Sequence, residues 1–259
     1  MTDRPGAGTL QRRVRGGAGP IVTKLWDIDV VGYDRLPTEG PAILCPNHIS
    51  FLDSAFLVFT LPRNISFVGK AEYMDSWKTK FLFPAMGMIP IDRSGGEKSA
   101  AALDAAKQVL DRGELFGIFP EGTRSRSGKL HKGRTGAARL AMELDVPIFP
   151  VGITGTDQIQ PPDAKVPKLR KSCSIEIGRA VKPARYRNRG SDHLAWRSMT
   201  DEVMFEIGQM TGQEYVHRYA GESESEPVVT GRVASVSELL ADDTPTGETH
   251  RELAVAAGT

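Results

Sequence analysis

One stretch of this chain groups residues that could do chemistry together: Cys45-Pro46-Asn47-His48-Ile49-Ser50-Phe51-Leu52-Asp53. It reads as the end of a buried strand, a sharp turn and the start of an apolar helix. The histidine falls in the turn, where an imidazole can face solvent and still be held by a carboxylate. Asp53 lies five residues on, off the spacing that shares one face of a regular helix, so pairing requires the chain to bend at Asn47–Ile49. A base with an orienting acid would result, lacking only a nucleophile of its own. The same letters also fit a capping box, with Ser50 as N-cap and Asp53 at the third helical position. Both readings stay open on this nonapeptide alone.

Three further loops carry unusual chemistry. Gly87-Met88-Ile89-Pro90-Ile91-Asp92-Arg93 ends a strand in an Asp-Arg pair, and Phe119-Pro120-Glu121-Gly122-Thr123-Arg124-Ser125 ends another in Glu, Gly, Thr and Arg. Val146-Pro147-Ile148-Phe149-Pro150-Val151-Gly152-Ile153 is apolar, with prolines and a glycine to shape a wall.

The elements that must position these loops alternate. Strands are expected at Ile28–Tyr33, Ala42–Cys45, Ile65–Val68, Met88–Ile91, Leu115–Phe119, Ile148–Val151 and Ser174–Ile177. Helices are expected at Phe51–Thr60, Tyr73–Phe83, Lys98–Asp111, Thr135–Glu143 and His193–Thr211. Short apolar strands alternating with helices imply an α/β fold: one domain with a largely parallel central sheet flanked by helices. Ligands then gather in the loops at the strand ends.

With 259 residues, 40% of them hydrophobic, the chain can bury one sizeable core. We expect a flexible basic N-terminus over 1–20, the folded domain over 21–219 and a disordered acidic tail over 220–259. The formal charge is only +1, from 33 basic and 32 acidic residues, but eight acidic and two basic residues lie beyond Gly221. That leaves 31 basic against 24 acidic, about +7, for residues 1–221. A basic body suits a phosphorylated small molecule, an acidic membrane surface or nucleic acid. The tail would shield that basic face away from a membrane.

Cys45 and Cys173 sit in strand-like apolar contexts without metal-ligand spacing, so both are expected buried and reduced. The start of the chain lacks the apolar core of a signal peptide. The run Phe81–Ile91 is about half of a membrane-spanning helix and holds Pro84, Gly87 and Pro90. Trp77-Lys78-Thr79-Lys80-Phe81-Leu82-Phe83 mixes aromatics with lysines, as an interfacial segment does, or as a core helix with two exposed lysines would.

Together, in this order and spacing, the four blocks resemble the glycerolipid acyltransferase family typified by bacterial 1-acylglycerol-3-phosphate acyltransferases, over about Ile28 to Gly178. His48 and Asp53 match the family's histidine-four-residues-aspartate motif, and Phe119–Ser125 its Phe-Pro-Glu-Gly-Thr-Arg-Ser motif. The long N-terminal membrane helices of some relatives have no counterpart. The resemblance implies transfer of a fatty acyl group from acyl-CoA or acyl carrier protein to lysophosphatidic acid, giving phosphatidic acid. His48 would be the base and Asp53 its orienting acid. Arg124 would hold the acceptor phosphate, with Lys70 and Arg93 converging from neighbouring loops. Glu121, either contacting the glycerol or bracing the loop, would complete the acceptor site with Gly122 and Thr123. The amide of Gly122, or those opening the helix after Ser50, would stabilise the oxyanion. No cofactor, metal or nucleic acid is implied beyond the thioester co-substrate, and the place of action is the cytoplasmic face of the membrane, peripherally. Glycerol-3-phosphate, another lysophospholipid or a glycolipid are alternative acceptors. A hydrolase or thioesterase and a non-catalytic lipid-binding module are the competing classes.

Overall fold

The computed structural model describes residues 7–70, 86–91, 98–162, 164, 166–187 and 190–221. A seven-stranded sheet in the order β1-β8-β7-β2-β5-β3-β4 forms its centre. The strands are β1 (Asp27–Val31), β2 (Ala42–Pro46), β3 (Ile65–Lys70), β4 (Met88–Ile91), β5 (Leu115–Gly117), β7 (Ile148–Thr154) and β8 (Ser172–Ile177). β6 (Leu130–His131) and β9 (Tyr215–Val216) pair separately. The helices are α1 (Ala7–Leu25), α2 (Leu52–Thr60), α3 (Lys98–Asp111), α4 (Gly136–Leu144), the single turn α5 (Thr156–Ile159) and α6 (Asp192–Thr211).

β7, β2, β5, β3 and β4 are mutually parallel, whereas β8 runs antiparallel to β7 and β1 parallel to β8. The expected α/β architecture therefore holds, with a reversed pair at one edge. That reversal matters for function. It brings the first residues of β1 and β8 to the same edge of the sheet as the last residues of β2, β5 and β7.

Strand β2 is buried at all five positions, as a central strand covered on both faces must be. Ala42 and Leu44 face one core with Phe56, Leu57, Phe67 and Val151, beneath α1 and α2. Ile43 and Cys45 face the other, with residues of α3, α4 and α6. Cys45 and Cys173 are free and buried, and burial pushes both thiols up, Cys173 to about 12.

The N-terminal segment corrects an expectation. Residues 7–20, expected within the flexible lead-in, belong to the helix Ala7–Leu25. Gln11, Gly19 and Val22 are buried, with Val14, Arg15, Ala18 and Leu25 half-buried between them, a stripe at helical spacing. Glycines and arginines diluted that stripe below recognition. Tertiary contacts supply what propensity does not: Gln11 Nε2 donates to Ile65 O at 2.8 Å, and Gln11 Oε1 accepts from Ile65 N at 3.0 Å. The Gln11 end of α1 is thereby fixed to the start of β3, and its other end, Leu25, lies at the opposite edge beside β1.

Gly117 ends β5 where a methyl group would overlap the Phe67 ring. Phe67 stacks on Phe119, 5.7 Å between centroids, and Phe119 stacks on His48. Gly117→Ala should destabilise the domain by about 2 kcal/mol, as overpacking does, and lower turnover by displacing this column. Urea midpoints and kcat measured on the same preparation check both effects; a silent substitution would show that the ring has room to move.

Candidate active site

β2 ends at Pro46, and its hydrogen-bond ladder is continued by a side chain. Asn47 is fully buried; its Nδ2 donates to Ile153 O at 2.9 Å and its Oδ1 accepts from Ile153 N at 2.7 Å. Nδ2 also donates to Gln213 Oε1 at 2.9 Å, tying in the segment after α6. The backbone is thus free to leave the sheet at His48.

The bend brings the histidine and aspartate together. His48 Nδ1 lies 2.9 Å from Asp53 Oδ2. The same oxygen accepts from Ile49 N at 2.8 Å and Ser50 N at 2.9 Å. Oδ1 accepts from Thr156 Oγ1 at 2.6 Å. The capping-box reading holds only in part. The helix opens at Leu52 with Phe51 as its N-cap and no side-chain cap bond, so Ser50 is not the N-cap and Asp53 is the second helical residue, not the third. Asp53 still accepts from Ser50 N, as the acidic half of such a box would, and also holds the imidazole. Ser50 Oγ donates to Gln160 O at 3.0 Å and accepts from the amide of Leu52 at 3.4 Å.

Asp53 is wholly buried, and its carboxyl accepts from two amides and the Thr156 hydroxyl, an arrangement that favours a proton on Nδ1 of His48. With Nδ1–H given to Asp53, the lone pair of His48 lies on Nε2. The ring stacks on Phe119, 3.8 Å between centroids and 20° between planes, and its side chain is 18% exposed. The ring is thus held on two sides, by Asp53 and by Phe119, with part of its side chain open to solvent.

The loop after β5 is clamped to this turn from both sides. Ser125 N donates to His48 O at 2.7 Å, and His48 N donates to Glu121 Oε1 at 3.0 Å. Glu121 Oε2 accepts from His131 N at 3.0 Å. Burial pushes the Glu121 carboxyl up to about 7, against the pull of those two amides, with the Asp53 charge adding to the rise. Glu121 is therefore a buried strut between two loops, not a group open to an acceptor. Gly122 takes φ +79°, a left-handed conformation suited to glycine; it and Thr123 are exposed, and Arg124 is half-buried. Among the described residues Arg124 has no ion-pair partner, leaving its guanidinium uncommitted beside the His48 turn.

Lys70 closes β3 at this same edge of the sheet. Arg93 and the segment 77–83 lie outside the described residues. Of the amides first considered for an oxyanion, Gly122 N donates to Phe119 O at 3.0 Å, Leu52 N to Ser50 Oγ at 3.4 Å and Asp53 N to Ser50 O at 3.4 Å. Among the described residues no three His, Cys, Asp or Glu side chains converge on one point. His131 contributes its backbone to the Glu121 strut, while burial lowers the pKa of its ring.

Thr156 carried no signal in the sequence, standing 103 residues from the aspartate it meets. Its hydroxyl is a positioning group. Thr156→Val keeps the shape and removes the donor. A hydrogen bond to a charged group is worth about 1.5–3 kcal/mol, so kcat/KM should fall roughly 10- to 100-fold, with its pH profile displaced and Thr156→Ser restoring both. An unchanged pH profile would reduce Thr156 to a packing residue.

A family model described as Acyltransferase matches residues 27–154. A 1-acyl-sn-glycerol-3-phosphate acyltransferase of Brassica napus chloroplasts is 28% identical over 151 residues, covering 54% of this chain and 44% of that protein. The 1-acyl-sn-glycerol-3-phosphate acyltransferase of Borreliella burgdorferi is 28% identical over 141 residues, covering 53% of this chain and 56% of that one. The chain spans about half the length of the curated relatives it matches. The crystal structure of the 1-acyl-sn-glycerophosphate (LPA) acyltransferase PlsC from Thermotoga maritima superposes with a TM-score of 0.62 at 22% identity, over 77% of this chain and 78% of that one, which bears on the fold. The family match spans the elements from β1 to β7, including the His48 turn and the loop after β5. Residues 27–154 thus belong to the acyltransferase family.

Proposed function

We propose that the chain transfers a fatty acyl group from acyl-CoA or acyl carrier protein to the free hydroxyl of lysophosphatidic acid, giving phosphatidic acid. The observation that carries this reading is the contact between the partly exposed His48 ring and the buried Asp53 carboxylate, inside an acyltransferase-family domain. His48 Nε2 removes the hydroxyl proton as the oxygen attacks the thioester carbonyl. A tetrahedral oxyanion forms, the C–S bond breaks, and the departing thiolate takes the proton back from Nε2. No acyl-enzyme is required, because the acceptor is the nucleophile. Asp53 holds the tautomer and stabilises the imidazolium that forms between the two proton transfers. The protein supplies base and orientation, with no cofactor beyond the thioester itself.

Arg124 is the first candidate for the acceptor phosphate, its planar fork matched to phosphate oxygens, with Lys70, which closes β3, and Arg93 as further candidates. Gly122 and Thr123, exposed in the same loop, would line the approach of the glycerol. Among the described residues no helix is long and apolar enough to cross a membrane; we place the enzyme peripherally at the cytoplasmic face, in phospholipid biosynthesis.

The test is a split in Michaelis constants. A charged hydrogen bond of about 1.5–3 kcal/mol predicts that Arg124→Ala raises KM for lysophosphatidic acid roughly 10- to 100-fold while leaving that for palmitoyl-CoA near its parent value. A rise confined to the donor would move Arg124 to the carrier's phosphates. Turnover of glycerol-3-phosphate in preference to lysophosphatidic acid would change the acceptor and keep the chemistry.

A further inference from the structure

The edge of the sheet that carries His48 also carries a surface the catalytic reading leaves unused. Because β8 is antiparallel to β7, Ser172 and Asp27, which pair with each other at the starts of β8 and β1, lie at the end of the sheet where β7 finishes at Thr154. α1 ends there at Leu25, and the loop 160–171 returns there. That loop is tied at both ends. Ser50 Oγ holds Gln160 O, and Arg170 N donates to Leu25 O at 3.0 Å. Lys168 N reaches Ile159 O at 2.8 Å, and Trp26 Nε1 donates to Lys168 O at 2.8 Å. Its described residues are therefore tied to the His48 turn at one end and to the end of α1 at the other.

What this loop and helix present to solvent is amphipathic. Ile21 is 60% exposed, Leu169 57% and Val166 75%. Lys24, Lys168, Arg170 and Lys171 are exposed among them, and none has an ion-pair partner among the described residues. An open groove of about 460 Å³ lies between the two elements, lined by Pro20, Ile21, Lys24, Leu25, Leu169 and Arg170. A smaller one continues past Lys171 and Ser172, with Asp27 as its single acidic lining residue. Arg170 adopts φ +55°, one of two non-glycine residues with positive φ among those described. Such backbone is unfavourable for a side chain with a Cβ and persists only where the surroundings hold it.

Large aliphatic side chains left in water beside unpaired cations are out of place on a surface that meets only solvent. They suit a boundary that is apolar inside and anionic at its rim. We infer that Ile21, Lys24, Val166, Lys168, Leu169, Arg170 and Lys171 form a docking surface for an anionic phospholipid bilayer. The aliphatic groups enter the headgroup layer, and the four cations meet lipid phosphates. The orientation follows from the topology. With this face on the membrane, the sheet edge bearing His48 and Arg124 turns toward the lipid, so an acceptor embedded in the leaflet reaches the base without a full departure into water. The inference rests on the proposed lipid acceptor for its purpose, though the surface itself does not depend on turnover.

The full chain, sedimented with phosphatidylcholine vesicles and with vesicles one-third phosphatidylglycerol, should bind the anionic ones, less so as salt rises. Each basic residue near such a surface contributes about fivefold to partitioning, so Lys24→Gln with Arg170→Gln should lower binding about 25-fold. Ile21→Ser with Leu169→Ser should lower it at constant charge. Both pairs are solvent-facing, and both variants should turn over a water-soluble short-chain acceptor at the parent rate. Binding unchanged in both double variants, or equal for neutral and anionic vesicles, would overturn the proposal. A parent that binds anionic vesicles yet never acylates any acceptor would contradict the acyl-transfer reading while leaving the docking surface standing.

Discussion

His48→Ala should lower acyl transfer by about 10²- to 10⁴-fold while leaving the fold in place. The size follows from what is removed. A hydroxyl near neutral pH is a poor nucleophile, and on the proposed mechanism its proton goes to Nε2 of an imidazole held by Asp53 on one side and by Phe119 beneath. The fold should survive because the turn is built on other groups: Asn47 holds the strand end, Asp53 keeps the Ile49 and Ser50 amides, and the backbone of His48 stays bonded to Glu121 and Ser125. Asp53→Ala, by contrast, would strip two backbone amides and Thr156 of their acceptor, and its loss of activity would be mixed with loss of structure. The informative variant is therefore the histidine, with circular dichroism and urea unfolding as the control. Turnover within a factor of two of the parent would remove His48 from the mechanism.

The second large effect is expected at Glu121. Its carboxyl bridges the amides of His48 and His131 from a wholly buried position, and its pKa is pushed from 4.5 up to about 7. Glutamine can accept one of those amides but turns a second donor toward the other. Leaving a buried donor unpaired costs about 1–3 kcal/mol, so at pH 8 Glu121→Gln should lower kcat/KM roughly 10- to 100-fold by loosening the turn that carries the base. Stability should show the titration directly. The unfolded chain releases this proton near 4.5, the folded chain only near 7, so folding takes up a proton between those values. Stability therefore declines as pH rises through that window and levels off above it. Relative to Glu121→Gln, whose side chain does not titrate, the parent should lose about 3 kcal/mol between pH 4.5 and 7.5. Parallel stability profiles for the two proteins would contradict the assignment.

Local chemistry was legible in the sequence wherever the partners are local. The strand–turn–helix of residues 42–60 follows from apolar runs broken by Pro46 and Asn47, and the structure brings His48 and Asp53 into contact there despite their spacing, because the chain bends before α2 begins. α3 lies at Lys98–Asp111, where alanines and leucines recur at helical period and Gly113 closes the pattern. Long-range partners left no such trace. Thr156, Gln160 and Gln213 reach the His48 turn only because the sheet assembles, and nothing near them in the chain marks them. The direction of β8 is equally silent, since an apolar strand reads the same whichever way it pairs. α1 was hidden for another reason: its glycines and arginines lower intrinsic helicity, and the helix is fixed by packing on α2 and by one glutamine bonded to the start of β3. Glu121, expected either to contact the glycerol or to brace its loop, bridges the backbones of two loops. No local pattern distinguishes those two uses of a carboxylate.

The most direct test of the central claim is thiol release from palmitoyl-CoA by the purified chain, followed with and without lysophosphatidic acid. Direct attack by an activated acceptor predicts release only when the acceptor is present, with phosphatidic acid formed mole for mole and both lost in His48→Ala. Release at the same rate without acceptor would contradict the account, because it would make water the nucleophile and the protein a thioesterase.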